Sequence, residues 1–234
     1  MPELASTLQR HTLVWLLPYV WPEVFRRYPW LGGSDFVRDW ATTGYPVISR
    51  RPGPDEDVTG QLPVGIPMPP AMAKRRLAFL VPEHGIADLA LPPELDNILQ
   101  RRKKRSELLS RWHKNLFCLD RSVNSLGLQT RVYGSVMWQH LTGMTYMSGS
   151  SDIDLLWGMT RDQGRILRPL LACIDQVDVL GNPKVDGEIN IENRSIHWRE
   201  LLCADGASEP VVVKENDRVH LLTRKQLFVQ GDGA

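Results

Sequence analysis

The chain of 234 residues balances 28 basic against 27 acidic side chains, for a formal net charge of +1, and 42% of it is hydrophobic. That is enough apolar material for one large core or two modest ones, and the near-zero charge excludes a general nucleic-acid coat or a membrane-adsorbed film. Cys118, Cys173 and Cys203 are odd in number and form no CxxC pair, which points away from a disulfide framework or a zinc site and towards reduced thiols in a cytoplasmic protein.

Near the start, the apolar run from Leu13 to Trp21 contains Pro18, is too short to span a bilayer, and follows an acidic rather than a basic leader, so no export or membrane segment is expected. Fourteen of the 17 prolines fall in the first 93 residues, which predicts short strands, turns and brief helices there. We expect a smaller Pro-rich α+β domain over residues 1–91, suited to substrate or phosphate binding, and a catalytic domain over 92–234. The boundary falls at LPPELDN, where Pro92 and Pro93 end one region and open a helix through Glu94 to Gln100.

From Ser106, apolar residues at Leu108, Leu109, Trp112, Leu116, Leu119 and Val123 repeat at helical spacing, with Gly127 as the stop. A short strand, LQTRVY, then leads to Gly134 and Ser135, and a helix is predicted from Val136 to Leu141, ended by Gly143. After a Ser- and Gly-rich connector, Asp152 to Trp157 reads as a central strand, followed by a helix between Thr160 and Leu180. VDGEINIE and SIHWREL read as a strand pair around Asn193, EPVVVKENDRVHLLT as another around Asn216 and Asp217, and the final GDGA as frayed. The fold class is α+β, with a mixed C-terminal sheet flanked by helices.

The stretch SSDIDLLW, residues 150–157, places two carboxylates where each loses hydration beside a like charge, so something has to compensate. Alternate strand residues share a face, so Asp152 and Asp154 project together with Cα atoms roughly 6.5 Å apart, while Ile153 and Leu155 face the opposite layer. Such a pair converges on hard cations, and Mg²⁺ takes a few carboxylate oxygens together with phosphate and water. Two ions about 3.5–4 Å apart hold both the attacking and the leaving oxygens of phosphoryl transfer. Upstream, Gly134 leaves room for a phosphate, Ser135 offers a hydroxyl, and the helix after them aims N–H groups at an anion. Either motif alone is common in ordinary strands and turns; their order along the chain makes them one site.

Tyr133, Gly134 and Ser135, followed by Asp152, Ile153, Asp154 and Leu155, resemble the pattern of the nucleotidyltransferase superfamily, with a spacer, Val136 to Ser151, somewhat longer than usual. A closer resemblance covers nearly the whole chain. YGSVMWQHLTGMTYMSGSSDIDLLW, VDGEINIENRSIHWREL and PVVVKENDRVHL, with RHTLVWL, PVISRR and GIPMPPAMAKRRLAFLV before them, are similar to the phosphoribosyl-dephospho-coenzyme A transferases of malonate decarboxylase, also called malonate decarboxylase holo-acyl-carrier-protein synthases.

That resemblance implies a nucleotidyltransferase-like catalytic domain. It implies transfer of a phosphoribosyl-dephospho-coenzyme A unit from 2'-(5''-triphosphoribosyl)-3'-dephospho-CoA to a serine of the apo acyl carrier protein subunit of malonate decarboxylase, with release of pyrophosphate. Metal held by Asp152 and Asp154 would neutralise the triphosphate, and a third carboxylate would position metal or deprotonate the serine. Asp186 and Glu188 both suit that role, being two apart on one strand; Asp186 is preferred because it follows the hydrophobe Val185, and Gly187 marks a bulge or a close approach of ligand backbone. The alternatives are a nucleotidyltransferase with another nucleoside triphosphate or acceptor, such as the citrate lyase carrier protein, and a non-catalytic carrier-binding scaffold.

Two basic clusters in the Pro-rich domain, Arg50 with Arg51 and Lys74 with Arg75 and Arg76, match phosphate oxygens and are candidate grips for the triphosphate or coenzyme A phosphates. The run Arg101 to Arg105 reads as a solvated face or as a dock for an acidic carrier. None of the six histidines has a partner at metal-ligand spacing, so His11, His84, His113, His140, His197 and His220 read as structural or surface residues, with His11, beside Arg10, the one worth testing. Trp138, Trp157 and Trp198 read as core, and Lys214 as facing either phosphate or water. No nucleic-acid or membrane partner is expected.

Overall fold

The computed structural model describes residues 8–72, 75–100, 107–204, 206, 208–216 and 218–228. Lys74, the run Arg101–Arg105, Asp217 and the GDGA end lie outside the described residues. The chain divides into two compact units, residues 1–92 and 93–234. Both mix helix and sheet, so the α+β expectation holds.

In the first unit, β1 (Leu13–Leu16) leads through a 3₁₀ turn into α1 (Trp21–Arg27), α2 (Pro29–Gly32) and α3 (Asp35–Thr43). Then follow β2 (Val47–Ser49), β3 (Gln61–Pro67), β4 (Arg76–Pro82) and β5 (Ile86–Ala90), and the sheet order is β4-β3-β2-β1-β5, antiparallel throughout. Prolines sit in the first turn of α1 and α2, where the missing N–H costs no intrahelical bond. Val14, Val20, Leu31, Val37, Trp40, Val64, Ile66 and Phe79 are buried, and the Trp40 indole donates to the Pro46 carbonyl at 3.2 Å.

The second unit opens with α4 (Leu95–Gln100) and the long amphipathic α5 (Glu107–Ser125), which buries Leu109, Trp112, Leu116, Leu119 and Val123. Next come β6 (Thr130–Val132), α6 (Gly134–Thr142), β7 (Ile153–Met159), a 3₁₀ segment (Arg161–Ile166) and α7 (Leu167–Asp178). The chain continues through β8 (Val185–Ile191), β9 (Arg194–His197), α8 (Trp198–Cys203), β10 (Pro210–Lys214), β11 (Val219–Thr223) and α9 (Arg224–Leu227). The sheet is mixed, in the order β11-β10-β9-β8-β7-β6, and only the β7/β8 pair is parallel. Parallel neighbours need a crossover, which α7 supplies.

Period-two alternation divides the faces of this sheet. Ile153, Leu155 and Trp157 of β7 and Val185, Ile189 and Ile191 of β8 join one apolar core with α5 and α7. Asp154, Asp186, Glu188 and Asn190 alternate with them and share the other face.

Three boundaries differ from expectation. The helix expected over 136–141 begins at Gly134, whose positive φ of 63° turns the chain directly out of β6, and it ends on Gly143 at φ 75°. β7 begins at Ile153, so Asp152 flanks the strand and is exposed. SIHWREL is not wholly strand: β9 stops at His197, whose ring accepts the Arg199 N–H and caps α8, and Trp198 and Leu201, three apart, are buried by that helix. Among the described residues no helix is long and apolar enough to cross a membrane.

Candidate active site

The site starts from two local facts about β6, α6 and β7. The Tyr133 N–H donates to the Asp154 carbonyl at 3.0 Å, which ties the Gly-Ser turn to the aspartate strand. At Gly134 an added Cβ would lie 1.9 Å from Asp154 Oδ2 and 2.5 Å from its Cγ, so glycine is required both by its backbone angle and by the carboxylate packed against it. α6 begins at Gly134 itself, with Ser135 as its second residue, so its first turn starts beside Asp154.

The long spacer is folded down rather than looped out. Gln139 Oε1 accepts the backbone N–H groups of Tyr146 and Met147, at 3.1 and 3.0 Å, and Tyr146 is buried. Ser148 and Ser151 then close a turn: the Ser151 N–H donates to the Ser148 carbonyl, and the Ser148 N–H to Ser151 Oγ. Asp152 follows this turn at once, so the spacer's extra length is absorbed before the strand begins.

In the parallel β7/β8 ladder Asp154 and Asp186 are direct register partners, and adjacent strands lie about 4.8 Å apart. Two carboxylates on neighbouring strands repel unless a positive group lies between or beside them. On the far side of Asp186, His197 Nε2 lies 2.9 Å from Asp186 Oδ1, and this bond, working against desolvation, holds the Asp186 carboxyl below the usual aspartate range. Glu188, one pleat further along, is 5% exposed and receives Lys214 Nζ at 3.2 Å. The lysine left open by sequence therefore faces a buried carboxylate. Of the two candidate third acids, Asp186 adjoins Asp154 in register, whereas Glu188 pairs across to Leu156.

His197, which reads from sequence as a structural or surface residue, lies in this row. The signal was available in the hairpin around Asn193: Glu188 pairs with His197, which puts the imidazole on the carboxylate face. Gly187 marks neither a bulge nor a ligand approach. The β7/β8 register is continuous, and a Cβ there would come 2.6 Å from the Trp157 ring, so the glycine makes room for core packing.

Among the described residues no group of three or more His, Cys, Asp or Glu side chains is arranged to hold an ion. The adjoining pair Asp154 and Asp186, with exposed Asp152 at the strand entry, offers only carboxylate oxygens. That donor set suits a small hard cation that completes its shell with phosphate and water, and it suits zinc poorly.

The first unit's basic residues fall into different settings. All five Arg50 N–H donors are used within the unit: Nε to the Val64 carbonyl, one terminal nitrogen to the Arg51 carbonyl and Glu56 Oε2, the other to Glu56 Oε1 and the Phe79 carbonyl. Such a fork is architecture, because no donor is left for a phosphate. Arg51 is half-buried, and Arg75 and Arg76 are exposed. Trp138, Trp157 and Trp198 are 3%, 0% and 1% exposed, as expected of core residues. His11 occupies a turn with φ 67°.

Residues 9–92 match the model of the phosphoribosyl-dephospho-CoA transferase MdcG N-terminal domain, and residues 97–225 match that of the MdcG C-terminal domain. A protein of Bradyrhizobium diazoefficiens named phosphoribosyl-dephospho-CoA transferase is 34% identical over 223 residues, spanning 95% of this chain and 92% of its own. Proteins of the same name from Xanthomonas campestris pv. campestris and Xanthomonas euvesicatoria pv. vesicatoria are 31% and 33% identical, each spanning 94% of this chain and 96% of their own. No solved structure matches the chain.

Proposed function

The chain belongs to the phosphoribosyl-dephospho-CoA transferase family, a family of transferases, and from that membership we propose a specific reaction. The donor is 2'-(5''-triphosphoribosyl)-3'-dephospho-CoA and the acceptor is a serine of the apo acyl carrier protein subunit of malonate decarboxylase. The serine oxygen bonds to the α-phosphorus of the donor, the bond from that phosphorus to the pyrophosphate oxygen breaks, and pyrophosphate leaves with its electron pair. The serine proton passes to a carboxylate.

The observation that carries the reading is the juxtaposition of Gly134, Asp154 and Asp186: a backbone stripped of Cβ against one carboxylate, with a second in register beside it. In this reading Asp152 and Asp154 hold Mg²⁺, which supplies neutralisation of the triphosphate and of the leaving pyrophosphate. Ser135 and the first-turn N–H groups of α6 receive phosphate oxygens. Asp186, kept ionised by the His197 bond, orients the acceptor hydroxyl and takes its proton. Glu188, already bonded to Lys214, supports the sheet face instead. Arg51, Arg75 and Arg76 are proposed phosphate-binding residues of the first unit.

The test incubates the purified full-length chain with the donor, Mg²⁺ and apo carrier protein, and follows carrier mass and pyrophosphate. We expect one prosthetic group per carrier, no labelling with ATP or CTP as donor, and a loss of at least about 100-fold in Asp154→Asn with the melting temperature kept. Equal labelling from ATP, or full transfer by Asp154→Asn, overturns the reading.

A further inference from the structure

His197 touches two groups at once. Its Nδ1 accepts the backbone N–H of Arg199 at 3.2 Å, the first-turn donor of α8, and its Nε2 lies 2.9 Å from Asp186 Oδ1. An acceptor at Nδ1 puts the ring proton on Nε2, so in the neutral tautomer His197 donates to the carboxylate. With both ring nitrogens engaged, the imidazole has no lone pair left to act as a base. It does have a fixed direction.

The surroundings of Asp186 share that rigidity. Val185, the residue before it, is held through both backbone groups: its N–H donates to Asp178 Oδ1 at 2.8 Å, and its carbonyl accepts the Trp198 indole N–H at 3.2 Å. Asp178 Oδ2 takes the Arg199 guanidinium at 2.7 Å, and that guanidinium lies 4.6 Å over the Trp198 ring. The end of α7, the start of β8 and the start of α8 are thus locked together around one carboxylate. Capping α8 would need only Nδ1; the second bond, onto the acid beside Asp154, is unexplained by capping.

We propose that His197 is the positioning residue for Asp186, holding Oδ1 from the β9 side so that the second oxygen is presented towards Asp154 and the acceptor hydroxyl. The proposal rests on the role given above to Asp186. It adds a residue on a different strand to the machinery, acting through the carboxylate rather than on substrate.

Two isosteres separate positioning from capping. His197→Asn keeps an acceptor near the Nδ1 position, and asparagine is a strong N-cap, but nothing reaches Asp186. His197→Gln carries an amide N–H out to the Nε2 position and gives up the cap. We expect His197→Asn to keep the cap and to melt only about 2–4 °C below wild type, for the lost Asp186 bond. Its kcat for carrier labelling should fall about 10–100-fold, with KM for the donor nearly unchanged. His197→Gln should recover kcat to within about 5-fold of wild type despite a lower melting temperature. Retained kcat in the asparagine variant, or equal loss in both, overturns the proposal. Wild-type protein that fails to label the carrier, or is indifferent to Asp154→Asn, overturns the reaction assignment instead.

Discussion

Gly134 is fixed by two separable demands, and a pair of alanine substitutions tells them apart. At φ 63° an L-residue pays roughly 1–2 kcal/mol for the left-handed backbone, whatever surrounds it. Gly143, at the other end of the same helix, has φ 75° and nothing within 4 Å of its would-be Cβ, so Gly143→Ala should cost stability alone. Gly134→Ala adds a methyl 1.9 Å from the Asp154 carboxylate, which must move. We expect Gly143→Ala to lose about 1–3 kcal/mol, what a non-glycine residue costs there, and Gly134→Ala to lose more, because its methyl also displaces the carboxylate. Transfer should fall about 100-fold in Gly134→Ala, as for a misplacement near 1 Å. Labelling rates beside thermal melts check this, and equal activity in the two variants would show that the carboxylate tolerates displacement.

Arg50 shows what an element gains from a fork that a point charge cannot supply. It sits just after β2 and ties together β3 (Val64), β4 (Phe79) and the loop carrying Glu56, whose carboxyl this guanidinium pulls below the usual glutamate range. Arg50→Lys keeps the charge but leaves carbonyls and one carboxylate oxygen short of donors. We expect a loss of about 1–3 kcal/mol in urea unfolding. If Arg50 gripped donor phosphates instead, the variant would raise KM and leave stability alone. The sequence showed the arginine but not its partners, which lie 6, 14 and 29 residues away. Motifs confined to one strand-turn-helix-strand run, such as Gly134, Ser135 and Asp154, were legible because their geometry is local. His197 and Lys214 come to the site through strand pairing, and register is not written in hydrophobic period. The end of β9 departs from the sequence expectation for a related reason: α8 has only six residues, too few for helical spacing to outweigh alternation.

At the scale of the molecule, the mixed sheet keeps apolar residues on one face and carboxylates on the other, and Asp120 breaks that division. It lies on α5 among the buried residues, 6% exposed, accepting from Asn124 Nδ2 at 2.9 Å and bonded to Thr130, whose hydroxyl oxygen takes the Trp157 indole N–H at 3.2 Å. Desolvation raises its carboxyl above the usual aspartate range, opposed by the bonds to Asn124 and Thr130 and reinforced by Asp96 and Glu94, while Arg131 faces Glu94. A carboxyl raised on folding binds its proton more tightly in the native state, so its contribution to stability falls as pH climbs from the unfolded pKa through the folded one, and stays low above. Asp186 and Glu56, lowered by His197 and Arg50, act oppositely and lose their contribution as pH falls. Subtracting wild type from Asp120→Asn isolates the first effect, because the others cancel. We expect the difference in melting temperature to be small near pH 4 and to grow with pH, reaching about 2–4 °C in favour of the asparagine by pH 8, the shift that 1 kcal/mol produces in a chain of this size. A flat or inverted difference would mean that the Asn124–Thr130–Trp157 chain stabilises the ionised form enough to offset its burial.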